Sequence, residues 1–282
     1  MLATLAAATA ASCSPLQVFN AVSPRDGGAT QIVRDAAYGD DPRQRIDVYA
    51  PPAGTARPAP LLVFFYGGSW KGGRKEEYAF AAAALAAAGF VVAVPDYRLY
   101  PAVRFPDFLD DSAAAVRWAA DRAASFGADP GRVVLVGHSA GAYNAAMLAL
   151  DRRYLARAGA KGGAVRAWAG LSGPYDFLPL DPGTAQEVFG EAPDLRATQP
   201  ITFASRASPP TFLATGGDDD TVRPKNTVAL AARLTALGVP VESHVYPGLD
   251  HADTLLALSV PFRGKAPEYP AMVAFLRARS GL

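Results

Sequence analysis

Gly137-His138-Ser139-Ala140-Gly141 follows the apolar run Arg132-Val133-Val134-Leu135-Val136 and precedes the small-residue run Ala142-Tyr143-Asn144-Ala145-Ala146-Met147. The order reads strand, sharp turn, helix, and Gly-x-Ser-x-Gly in that context is a nucleophile elbow. Small residues are needed on both sides of the serine because the turn is tight and its backbone strained. The serine oxygen then stands at a helix N-terminus, where amide groups point outward and favour developing negative charge. A bare match to the pattern is weak in a chain this rich in Gly, Ser and Ala. The flanking strand and helix are what make it specific.

Working outward, further apolar runs of strand length are Leu61–Tyr66, Phe90–Val94, Ala164–Leu171 and Thr211–Ala214, each reading as a strand covered on both faces. Arg45–Tyr49 and Val241–Tyr246 alternate polar and apolar, as half-buried strands do. Helical patterns lie between them at Tyr78–Ala88, Phe108–Ala124, Ala142–Leu150 and Asn226–Leu237. This alternation predicts an α/β fold with a mostly parallel sheet of about eight strands and helices on both faces. Residues 31–282 are expected to form that domain. The proline-rich stretch 174–210 breaks the alternation and is expected to be a cap-like insertion over the sheet.

The bulk properties narrow the function classes. With 282 residues, half of them hydrophobic and 19% charged, the chain can bury a large core and is too apolar for disorder. A formal net charge of +1, with no basic run interleaved with aromatics, gives no sign of nucleic-acid binding. Residues 1–30 read as leader and linker. Met1–Ser12 is small and apolar and ends Ala10-Ala11-Ser12-Cys13, which resembles the end of a bacterial lipoprotein signal, although no Lys or Arg precedes Arg25. Two expectations stand together: a lipidated Cys13 anchoring a periplasmic or membrane-bound protein, or an Ala-rich N-terminus with an incidental cysteine on a cytoplasmic one. As the single cysteine, Cys13 can form no intramolecular disulfide and no cysteine metal site.

A serine hydroxyl needs a base, and the base needs an acid to orient it. Of the three histidines, His138 sits inside the elbow, where its side chain points away from that of Ser139, and His244 lies in the alternating strand. His251, in Pro247-Gly248-Leu249-Asp250-His251-Ala252-Asp253 after that strand, is the candidate base, because loops at the carboxyl ends of sheet strands carry the functional groups in this architecture. The acid should fall between serine and histidine in chain order. Thr215-Gly216-Gly217-Asp218-Asp219-Asp220 follows a strand there, and three adjacent aspartates leave the choice open. Gly67-Gly68-Ser69, after the strand Leu61–Phe65, can turn backbone amides inward and form an oxyanion hole with the amide of Ala140.

These segments together resemble the α/β-hydrolase superfamily, in the esterase/lipase branch that includes hormone-sensitive-lipase-like esterases, the feruloyl-esterase-like group and kynurenine formamidases. Tyr66-Gly67-Gly68-Ser69-Trp70 is similar to that family's His-Gly-Gly-x-Trp oxyanion loop, with Tyr66 where the family has histidine. Asp96-Tyr97-Arg98-Leu99-Tyr100-Pro101, Phe105-Pro106 and Asp110-Asp111 resemble its Asp-Tyr-Arg-Leu-x-Pro segment; Arg98 and Asp111 read as structural. In the acid loop, counting from Gly217 to Pro224 against the family's Gly-x-x-Asp-x-x-Val-Pro implies Asp220 as the acid, with Asp219 as the alternative. The resemblance implies a serine carboxylesterase with Ser139, His251 and Asp220 as triad. Gly67, Gly68, Ser69 and Ala140 form its oxyanion hole, and Tyr66, Trp70 and His138 are candidates for the substrate pocket. It implies a small-molecule ester substrate and no metal or organic cofactor. Two other readings remain: an N-formyl amide hydrolase of the kynurenine formamidase kind, which a secretion-like leader disfavours, and a non-catalytic protein on the same fold.

Overall fold

The computed structural model describes residues 14–160 and 165–282. The strands are β1 (Thr30–Ala37), β2 (Arg45–Ala50), β3 (Ala59–Phe65), β4 (Val91–Pro95), β5 (Ala128–His138), β6 (Val165–Leu171), β7 (Thr211–Gly216) and β8 (Val241–Tyr246). They form one sheet in the order β1-β2-β4-β3-β5-β6-β7-β8. β1 pairs antiparallel with β2, and β2 with β4; every other pairing is parallel. The expected α/β-hydrolase sheet of eight mostly parallel strands is what forms.

Burial follows position in the sheet. Every residue of β3, β4 and β7 is buried, as continuous apolar runs in a doubly covered sheet require. The edge strands β1 and β8 are half-exposed. β1 occupies residues outside any strand expected from sequence. Register shifts between Gln31 and Val33 and between Val33 and Ala36 break its alternation, and Asp35 sits at φ 53.

The helices are α1 (Pro15–Val22), α2 (Ala79–Ala87), α3 (Asp107–Asp121), α4 (Ala140–Leu150), α5 (Arg153–Arg157), α6 (Thr184–Phe189), α7 (Lys225–Ala236), α8 (Asp253–Leu256) and α9 (Glu268–Ser280). In α4 every residue is buried, so its Ala and Gly content lets the helix axis lie close to the sheet. α1 lies in the stretch expected to be leader and linker. Ser14 caps it through the Gln17 amide, and Asn20 ties it to the body, donating to the Glu76 carbonyl (2.8 Å) and accepting from the Phe80 amide (2.9 Å). Cys13 and residues 1–12 lie outside the described residues. Among the described residues no helix is long and apolar enough to cross a membrane.

The 174–210 segment contains α6 and two 3-10 turns, Leu195–Thr198 and Pro200–Phe203. Asn226 of α7 accepts from the Tyr175 and Asp176 amides, Gln199 accepts from the Phe177 amide, and Tyr143 of α4 donates to the Thr198 carbonyl. These bonds fasten the segment over α4, next to the elbow. After β3 the chain crosses to β4 on one side, and after β4 it returns to β5 on the other. At such a switch the loops leaving neighbouring strands diverge and open a crevice at their carboxyl ends.

Candidate active site

Two pairs of loops meet at those carboxyl ends. Phe65, the last residue of β3, is the register partner of Gly137 near the end of β5, so the Gly67–Ser69 loop and the elbow emerge side by side. Gly216 and Tyr246 are likewise partners at the ends of β7 and β8. The Gly217 amide donates to the Tyr246 carbonyl (2.8 Å) and the Asp218 amide to the Leu249 carbonyl (3.0 Å), so the acid loop and the His251 loop are laced together.

Ser139 stands at φ 55, ψ −124, a conformation that L-residues adopt only under strain. Its neighbours explain the glycines around it. A Cβ on Gly141 would lie 2.0 Å from the Phe65 carbonyl oxygen and 2.5 Å from that of Tyr66. On Gly137 it would lie 2.2 Å from the Gly141 carbonyl oxygen. The Ser139 amide donates to the Leu171 carbonyl of β6 at 2.9 Å, which pins the turn from below.

Ser139 Oγ lies 2.9 Å from His251 Nε2. His251 Nδ1 lies 2.9 Å and 3.1 Å from the two carboxylate oxygens of Asp219. A carboxylate only accepts, so Nδ1 carries the proton and Nε2 is free to accept from the serine hydroxyl. Asp219 is buried, and burial alone would raise its pKa. The His251 N–H and the Val222 amide (2.8 Å) outweigh burial and hold the carboxyl below its ordinary value. The Thr221 amide donates to the same oxygen at 3.0 Å.

The aspartate that reaches His251 is thus Asp219 and not the expected Asp220. Asp220 is exposed, as is Asp218, and neither contacts His251 through a described hydrogen bond. Counting from Gly217 missed by one residue; counted from Gly216, the same Gly-x-x-Asp-x-x-Val spacing falls on Asp219 with Val222 at the valine position.

The loop after β3 supplies amides. Gly68, Ser69 and Trp70 all have positive φ, at 127, 53 and 56, and such successive left-handed residues orient neighbouring N–H groups into a concavity. Among the described residues the Gly68 and Ser69 amides have no acceptor. A Cβ on Gly67 would lie 2.9 Å from Ser139 Cβ, so glycine there is what lets the loop lie directly against Ser139. Ala140 is the first residue of α4, where an amide has no intrahelical partner.

Tyr66 and His138, expected in the substrate pocket, are both buried structural groups. The Tyr66 ring is stacked between Tyr78 (5.1 Å) and Tyr97 (5.0 Å), and its hydroxyl donates to Asp96 at 2.6 Å. Arg43 donates to the Tyr66 hydroxyl (3.1 Å), to the Tyr97 carbonyl (2.8 Å) and to the Gly73 carbonyl. Tyr97 and Tyr78 in turn donate to the carbonyls of Tyr66 (2.8 Å) and Gly67 (3.3 Å). The side chain that replaces the family histidine thus braces the Gly67–Ser69 loop from behind. Asp96 and Tyr97 stand in a motif visible in the sequence, but no pattern pointed to Arg43.

His138 is fully enclosed. Burial and the adjacent His251 push its imidazole down to about 3, so the ring is neutral. Its Nε2–H donates to the His251 carbonyl at 3.0 Å, a second hold on the His251 loop. Trp70, the third residue expected in the pocket, is also buried, and its indole donates to Asn144 Oδ1 at 3.2 Å. Arg98 and Asp111 form the expected structural pair, at 2.7 Å. A groove of about 570 Å³ lined by Val116, Leu148, Leu155 and Val165 lies at the opposite end of the sheet from Ser139. Among the described residues no group of three or more His, Cys, Asp or Glu side chains is placed to hold a metal ion.

The BD-FAE family model matches residues 46–234, which spans β2 through most of α7 and includes the oxyanion loop, the elbow and the acid loop. The chain belongs to the BD-FAE family. This α/β-hydrolase esterase family accounts for the sheet order and for the placement of the three loops. A BD-FAE chain of this sequence is 30% identical over 262 residues to isoprenylcysteine alpha-carbonyl methylesterase ICME of Arabidopsis thaliana, covering 84% of this chain and 60% of the relative. It is 32% identical over 246 residues to carboxylesterase NlhH of Mycobacterium tuberculosis (strain CDC 1551 / Oshkosh), covering 78% and 74%. Esterase B from Lactobacillus rhamnosis (HN001) superposes with a TM-score of 0.79 over 93% of this chain and 90% of its own, at 19% identity, a likeness of fold.

Proposed function

We propose that the protein is a serine carboxylesterase that cleaves small-molecule carboxylic esters through an acyl-enzyme. The observation that carries this reading is the unbroken chain Ser139 Oγ, His251 Nε2, His251 Nδ1, Asp219, with contacts of 2.9 Å at both junctions. His251 takes the hydroxyl proton as Ser139 Oγ attacks the ester carbonyl carbon. Negative charge gathers on the carbonyl oxygen, which the amides of Gly68, Ser69 and Ala140 receive. Collapse breaks the ester C–O bond, and the departing alkoxide takes the proton from His251. Water then repeats the cycle on the acyl-enzyme and releases the acid. Asp219 keeps Nδ1 protonated and stabilises the imidazolium that forms. The named esterase and methylesterase relatives support the choice of ester bond.

The test is a panel of p-nitrophenyl esters of increasing acyl length run beside N-formylkynurenine. Turnover of the esters with little on the formamide supports the reading. Preference for the formamide would replace it with the amide-hydrolase alternative, and no turnover of either would favour a binding protein.

A further inference from the structure

The acyl group of the enzyme intermediate hangs from Ser139 Oγ with its carbonyl oxygen at the loop after β3. Strand order places His251, and with it the leaving alcohol, towards β8, and Trp70 on the β3 side. On the carboxylesterase reading, the remaining substituent, the acyl chain, would then run towards Trp70 and α4. Tyr143, one turn along α4 from Ser139, meets the Trp70 ring edge to face at 5.2 Å. Into the angle between them comes Phe189, the last residue of α6 in the 174–210 segment. Its ring lies 4.8 Å from Trp70, 5.3 Å from Tyr143 and 5.3 Å from Phe177. Those are contact distances for aromatic pairs, so no space for a methylene chain separates the rings. Phe189 and Tyr143 are fully buried, and Trp70 is 6% exposed.

Phe189 does not reach this position by hydrophobic contact alone. Glu187, two residues earlier, accepts from Lys71 Nζ at 2.7 Å, and Lys71 follows Trp70 in the oxyanion loop. Arg104 donates to the Glu187 carbonyl (3.0 Å), and the Phe105 amide donates to the Val188 carbonyl (3.1 Å). The segment is held to the loop that binds the oxyanion, so the phenyl ring is registered against the acyl side of the site.

We propose that Phe189 sets the acyl-length limit of the Ser139 site, confining the enzyme to short acyl groups; this rests on the carboxylesterase reading above. The ring fills the volume that a longer chain would need. Removing it opens a cavity beside the Trp70 and Tyr143 rings.

The experiment compares kcat/KM for p-nitrophenyl acetate, butyrate, hexanoate and octanoate in wild type, Phe189→Ala and Phe189→Leu. The octanoate-to-acetate ratio is read within each variant, so lost folded protein cancels. Wild type is expected to favour acetate or butyrate. Phe189→Ala is expected to raise the ratio by about tenfold or more, the scale on which a pocket discriminates single methylenes, with Phe189→Leu in between. A parallel series of acetates differing only in the alcohol should keep its order in both variants. A wild type that prefers octanoate, or ratios unchanged in both variants, would overturn the proposal. Failure of wild type to hydrolyse any ester would overturn the carboxylesterase reading itself.

Discussion

Replacing Asp219 by Asn keeps the side chain's size and removes its charge. In the native site both carboxylate oxygens face His251 Nδ1, at 2.9 Å and 3.1 Å, while backbone amides of Thr221 and Val222 donate to Oδ1. Those two amides require an acceptor, so Asn would place its carbonyl oxygen there and turn its NH2 group towards Nδ1. Facing a donor, His251 would shift its proton to Nε2 and lose the ability to accept from Ser139. In the serine-protease triad, the equivalent wrong-tautomer substitution lowers kcat about 10⁴-fold, or about 5 kcal/mol of transition-state stabilisation. The same loss is expected here for Asp219→Asn. Asp220→Asn, at an exposed position, should stay within about twofold of wild type, as surface changes away from a site do. Both are measured as kcat on p-nitrophenyl acetate at neutral pH, with a thermal melt to show that each variant is folded. A larger loss for Asp220→Asn than for Asp219→Asn would refute the assignment of the acid.

Three further perturbations probe other parts of the account. Tyr66→Phe removes the hydroxyl that donates to Asp96 and accepts from Arg43, and should cost about 1–3 kcal/mol in denaturant unfolding with a lower kcat; unchanged kinetics would discard the bracing role. Gly141→Ala drives a Cβ to 2.0 Å from a β3 carbonyl oxygen, and the displaced backbone should lower stability by about 1–3 kcal/mol or more and disturb the elbow, read as lost kcat/KM. Burial holds the carboxyl of Glu268 well above its ordinary value, so the group keeps its proton to higher pH in the fold than in the unfolded chain. Its contribution to stability is fully present below about pH 4 and declines as pH rises towards the folded pKa. Glu268→Gln should therefore melt higher than wild type at about pH 8, with the gap narrowing towards about pH 4; a gap that widens in acid would reverse the assignment.

The fold was legible because its central strands are unmixed apolar runs, and the elbow because its two glycines meet backbone that tolerates no side chain. Ser139 and His251 follow from chain order and from their position at strand ends. Four features were missed. β1 hides its alternation behind bulges around Val33 and Asp35. α9 buries Met272, Phe275 and Leu276 at helical spacing, but Pro270 in its first turn masks the start. The expected acid lies in three consecutive aspartates after two glycines, where composition and alternation cannot choose and the family spacing gives Asp219 from Gly216 but Asp220 from Gly217. The brace behind the oxyanion loop is non-local, joining Arg43, Tyr66 and Asp96 across three segments.

The central claim is that Ser139 is a nucleophile activated by His251. Intact-protein and peptide mass spectrometry after reaction with a fluorophosphonate tests it most directly. Wild type should take up a single phosphonyl group on the peptide containing Ser139, and folded Ser139→Ala should take up none. Labelling of Ser139→Ala at the wild-type rate, or a folded wild type that stays unlabelled, would contradict the account.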